Sequence, residues 1–133
     1  MPEGERPVIS TDERRVLVVD DDPSIQGFLA EALTDEGYGV RTAGNGREAL
    51  SILGEWRPDL ILLDLMMPEM DGWVFRAAQR TMPEVSSVPV IVLSATRDLA
   101  AKVHTLAPAE VFAKPFDLEM LLMTVDRLTA RPA

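Results

Sequence analysis

Residues 60–64 read LILLD, four consecutive apolar residues closed by an acid, and this short stretch decides the fold. A run that is apolar at every position suits a strand buried on both faces, the habit of parallel sheets covered by helices. Three other stretches have the same form. Residues 16–19 (VLVV) run into Asp20, Asp21 and Asp22, residues 90–93 (VIVL) run into Ser94, and residues 111–113 (VFA) run into Lys114 and Pro115. A more polar stretch, residues 38–43, suits a strand at the sheet edge.

Segments of helical period lie between these runs. Pro23 fits a first helical position behind Asp22 as cap, with Ile25, Phe28, Leu29, Ala32 and Leu33 at helical spacing and Gly37 as the stop. Asn45 can cap a short helix carrying Ala49, Leu50 and Leu53, and Asp71 can cap another over about 72–80. A fourth helix is expected near 98–106, and a fifth after Asp117 shows Leu118, Leu121, Leu122, Val125 and Leu128 on one face. Strands alternating with helices predict an α/β fold, a single doubly wound five-stranded parallel sheet with five helices on its two faces. Residues 1–14, with Pro2, Gly4 and Pro7 among charges, read as a flexible arm, residues 15–130 as one domain and residues 131–133 as a tail.

Composition narrows the functions open to such a domain. The 133 residues carry 22 acidic and 13 basic side chains, a net charge of −9, which argues against direct contact with nucleic acid. The absence of cysteine excludes disulfides, thiolate metal sites and cysteine nucleophiles. No leader-like stretch opens the chain and no run of 18 apolar residues occurs, so the expectation is a cytoplasmic protein without a membrane span.

In a parallel sheet, the carboxyl ends of all strands share one edge, and ligands sit there near the point where strand order reverses. That edge gathers Asp20, Asp21, Asp64, Ser94 and Lys114. Two like charges about 4 Å apart repel by roughly 4 kcal/mol at an effective dielectric near 20, so the carboxylates call for a counter-ion. Mg²⁺ fits an all-oxygen set of this kind, and with His104 the only histidine there is no set for zinc or copper. A carboxylate beside such an ion can also attack a phosphoryl group. Lys114 is one of only two lysines, with Lys102, so a compact point charge at a strand end looks selected. Taken singly, each residue has an ordinary reading. Asp22 is best read as a helix cap, Met66, Met67 and Met70 as turn and packing residues, Trp56 and Trp73 as packing at helix ends, and His104 as a surface residue. Arg127 and Arg131 complement the dipole of the last helix.

The segments VLVVDDD, DLILLDLMMPEMDG, VIVLSA and AKPF, in this order, resemble the four signature blocks of the response-regulator receiver family of two-component signalling, over about residues 15–130. The resemblance implies a flavodoxin-like sheet of order 2-1-3-4-5. It implies that Asp64 is the phosphoacceptor, taking a phosphoryl group from a sensor histidine kinase or phosphotransfer protein. Asp20, Asp21, Asp64 and the backbone carbonyl of Met66 would hold Mg²⁺ or Mn²⁺. Ser94 and Lys114 would bind the phosphoryl oxygens, and the bond before Pro115 would be cis. The protein would be a signalling phosphoacceptor rather than an enzyme, with only self-catalysed transfer and slow autodephosphorylation. A downstream protein or a second copy would bind on the face of the fourth helix, fifth strand and fifth helix. Two positions depart from the family: Ser94 stands where threonine is commoner, and Val111 where many members carry a switching aromatic. Phe112, adjacent, points to the other face. Two other readings remain open at this stage, a receiver-fold module that binds partners without phosphorylation, and a Mg²⁺-dependent phosphohydrolase.

Overall fold

Each apolar run becomes a strand in the computed structural model, which describes residues 13–65, 72–94 and 106–130. The strands are β1 (Arg15–Val19), β2 (Gly39–Ala43), β3 (Leu60–Asp64), β4 (Val90–Ser94) and β5 (Glu110–Ala113). They form one parallel sheet in the order β2-β1-β3-β4-β5. The most uniformly apolar run, β3, lies at the centre and is buried throughout, while the polar β2 forms an edge. Burying a leucine of this kind fully contributes on the order of 1.5–3 kcal/mol relative to leaving it in water.

The described helices are α1 (Pro23–Asp35), α2 (Gly46–Leu53), α3 (Gly72–Gln79) and α4 (Leu118–Thr129). The helix expected near 98–106, all but its last residue, and the cap at Asp71 lie outside the described residues. Asp22, Asn45 and Asp117 each accept a backbone N–H in the first turn of their helices. Helix α1 ends as its sequence predicts: Gly37 has φ +94°, its N–H donates to Thr34 O, and Tyr38 N–H donates to Leu33 O. This paired closure satisfies two end carbonyls and needs the left-handed residue that glycine supplies.

Alternate strand residues face two cores. Leu17, Val19, Ile61, Leu63 and Val92 meet α2 and α3 through Ala49, Leu53 and Phe75. Val16, Val18, Leu62 and Leu93 meet α1 and α4 through Leu29, Leu33, Leu121 and Val125. Trp56 and Trp73 pack partly buried against the first core, and Arg15 and Arg41 both lie over the Trp56 ring, each 5.5 Å from its centre. Phe28 departs from its expected inward position: it is 51% exposed, because Leu29 and Leu33 occupy the core stripe and the helix turns residue 28 outward.

Gly72 begins α3 directly against the end of β3. Its N–H donates to Leu65 O at 2.9 Å, and a Cβ there would stand 2.7 Å from Leu65 Cα and 3.0 Å from Asp64 O. Both obstacles are backbone or core atoms with no room to yield. Gly72→Ala is therefore expected to destabilise the fold by about 1–3 kcal/mol. Urea denaturation checks this, and an unchanged midpoint would show that the contact is not as tight as described.

Candidate functional site at the sheet edge

The ladder brings the acids together. Val19 pairs with Leu63, so the next residues along β1 and β3, Asp20 and Asp64, stand side by side. This is where chain connectivity reverses, with β2 reached on one side of β1 and β3 on the other. One carboxylate oxygen each from Asp20, Asp21 and Asp64 lies within 4.8 Å of the others. Asp20 and Asp64 are buried, and Asp21 is exposed. A set of hard oxygen donors at this spacing, open on the Asp21 side, fits a divalent cation such as Mg²⁺.

Lys114 faces them from the end of β5. Its Nζ donates to Asp20 Oδ2 at 3.0 Å and lies 3.6 Å from Asp64 Oδ2. The ammonium is itself largely shielded, so it partly offsets the repulsion in a setting where screening by water is weak. The Lys114–Pro115 peptide bond is cis. Ser94 closes β4, in register with Ala113, one residue before Lys114. Its side chain lies outside the description, as do Met66, Met67, Met70 and His104. Val111 is 45% exposed, and Phe112 on the opposite face packs against the α1–α4 core.

Asp20 is held on every side. Its Oδ1 accepts Asp22 N–H at 2.9 Å, and its own N–H donates to Ala43 O at 3.0 Å. Gln26 Nε2 donates to both Asp20 O and Ala43 O, at 2.6 and 3.1 Å, tying α1 to the ends of β1 and β2. Sequence reasoning missed Gln26. The signal was present, since residues 26, 29 and 33 form one helical stripe and a polar member of an apolar stripe needs a buried partner. Glu48 Oε1 likewise accepts Gly44 N–H at 2.6 Å, closing the turn after β2. Arg127 does more than face a helix end: its Nη2 donates to Glu110 Oε2 at 3.1 Å, across to β5.

Comparison with known proteins gives one consistent result. The response regulator receiver domain family model matches residues 16–126. The chain is 36% identical to the response regulator MprA of Mycolicibacterium vanbaalenii over 88% of its own length and 51% of that protein's. It therefore spans about half of this relative. Among solved structures, the chemotaxis response regulator CheY4 of Vibrio cholerae matches with a TM-score of 0.80 and 35% identity, covering 87% of this chain and 98% of that one. The response regulator TrrA of Thermotoga maritima, solved in complex with Mg²⁺ and BeF, matches with a TM-score of 0.76 and 34% identity, covering 86% and 98%.

The electrostatics of the cluster have a measurable sign. In the presence of a chelator, Asp21→Asn removes one of three like charges and is expected to raise stability by on the order of 0.5–1 kcal/mol. Millimolar Mg²⁺ should then stabilise the wild type more than the variant, by mass action on a site only the wild type has intact. Denaturation curves with and without the ion check both halves, and a variant less stable in chelator contradicts the repulsion.

Proposed function

The chain belongs to the response-regulator receiver family of two-component signalling, and on that premise we propose that Asp64 is its phosphoacceptor. The observation that carries this reading is the meeting of the Asp64 carboxylate with Asp20, Asp21 and the Lys114 ammonium at one sheet edge. A phosphohistidine on a sensor kinase or phosphotransfer protein is the donor. An Asp64 oxygen attacks phosphorus, the P–N bond breaks, and the departing imidazole nitrogen takes up a proton, leaving an aspartyl phosphate.

Asp20, Asp21, Asp64 and the Met66 carbonyl would hold Mg²⁺ or Mn²⁺, which would neutralise charge on the transferring oxygens. Lys114 exchanges its carboxylate partners for a phosphoryl oxygen, and the Ser94 hydroxyl donates to another. The added negative charge then draws these two residues inward and biases the segment after β4, a local charge event with a wider readout.

A place for the donor lies beside Lys114. Ile25, Phe28, Pro115 and Phe116 line an open apolar cavity of about 410 Å³ with Lys114 at its margin. An exposed aromatic in a cavity that Lys114 also lines suits a protein partner whose histidine must reach Asp64. The same reading puts the chain in the cytoplasm, where such donors carry their phosphohistidine. Output follows through the face that includes β5 and α4, toward a downstream protein or a second copy. Val111 is small there, so no aromatic at this position transmits the change.

Intact-mass measurement after incubation with Mg²⁺ and acetyl phosphate should show one added phosphoryl group, absent in Asp64→Asn. Lys114→Ala should slow the uptake by roughly 10²-fold, the usual loss when one donor to a developing anion is removed. An unmodified wild type under every donor would overturn the assignment. Phe28→Ala should leave uptake from acetyl phosphate unchanged while slowing transfer from a phosphorylated donor domain; equal slowing with both donors would remove the docking role.

A further inference from the structure

Arg76 is a cation buried where none is needed for the chemistry above. It sits on α3 with 6% of its surface exposed, and no carboxylate among the described residues pairs with it. All its hydrogen-bond partners among the described residues are neutral oxygens. Nε donates to Leu106 O at 2.9 Å, Nη2 to Ala107 O at 3.1 Å, and Nη1 to Gln79 Oε1 at 2.6 Å. Burial accordingly pushes its pKa down, and nearby Arg80 adds to the effect. A guanidinium in such a place is costly unless its fork of donors is used, and here the fork spans two successive carbonyls.

The carbonyls it holds belong to the chain just before β5. Ala107 has φ +49°, a left-handed conformation that an alanine adopts only when its surroundings impose it. Gln79 completes the clamp. Its Nε2 donates to Val85 O and Val88 O at 2.8 and 3.2 Å, so the pair grips the chain on both sides of β4.

The strand that follows is the least braced in the sheet. β5 has four residues, pairs with β4 alone, and exposes every second side chain. Its tie to α4, Arg127 to Glu110, is an exposed ion pair of the kind that contributes little. Yet this strand leads directly into Lys114, whose Nζ must stay within reach of Asp20 and Asp64.

We propose that Arg76, steadied by Gln79, is a positioning residue for the phosphoryl site: it fixes where the chain turns into β5, and through that strand it places Lys114. The proposal rests on the reading of Asp64 as acceptor and extends it to a side chain on α3.

Arg76→Lys keeps the charge but loses the fork, and Arg76→Met keeps length and apolar packing without charge. Hydrogen exchange and acetyl phosphate uptake at saturating Mg²⁺ are measured on both. The anchor requires residues 111–113 to exchange about tenfold faster while β1 and β3 keep their protection. It also requires phosphorylation to slow about tenfold in Arg76→Met and less in Arg76→Lys. Protection lost evenly over all five strands would make Arg76 a general core support and overturn the proposal. So would unchanged exchange in β5, or an unchanged rate in a variant whose β5 has loosened. If the wild type itself takes up no phosphoryl group, the acceptor reading fails instead, and the exchange pattern still decides whether Arg76 anchors β5.

Discussion

Three carboxylates held within 4.8 Å of one another, two of them buried, are the constraint around which this domain is arranged. Left to itself such a group would spread apart. It persists because its members are attached to the stiffest part of the molecule. Asp64 is the last residue of the central strand, and Asp20 follows a strand paired on both sides. The sheet is in turn stiff because both its faces are covered, which requires strands apolar at every position. The run LILLD therefore serves two ends at once, four residues for the cores and one for the site.

The neighbours of Asp20 show how that arrangement is maintained. Asp22 N–H holds the carboxylate, the Ala43 carbonyl and Gln26 fix the backbone behind it, and Lys114 supplies the opposing charge. None of these contacts removes the repulsion. They prevent its relief by movement, so the carboxylates keep the spacing that suits a dication. A site preorganised in this way trades some fold stability for binding and reactivity.

How much of this the sequence revealed follows from the range over which each signal acts. Strands, caps and the glycine stop were legible because they depend on neighbours within four residues: Asp22, Asn45, Asp117 and Gly37 each act on their own turn. The acids and Lys114 were legible because the parallel topology lines up strand ends whatever their separation in sequence. Phe28 was misplaced because a helical stripe five residues wide admits two registers, and packing against β1 selects the one through Leu29 and Leu33. Arg76 and Gln79 were not legible at all. Their partners lie on connections 6 to 31 residues away, and a polar pair at positions 76 and 79 looks from sequence like a solvated face.

Those unread residues bear on a tension in the fold. The cation that faces the acids is delivered by the strand with the fewest supports, at the far edge of the sheet from β2. On the proposed reading, a lysine there must be placed well enough to meet Asp20 and remain able to leave it, since a fixed ion pair would exclude an incoming phosphoryl oxygen. A short edge strand with one paired side gives that latitude, and a clamp at its beginning limits it. Buried charge on α3 and a strained alanine before β5 are features that stability alone would discard. They make physical sense together where the chain must be held at one end of a strand and left responsive at the other.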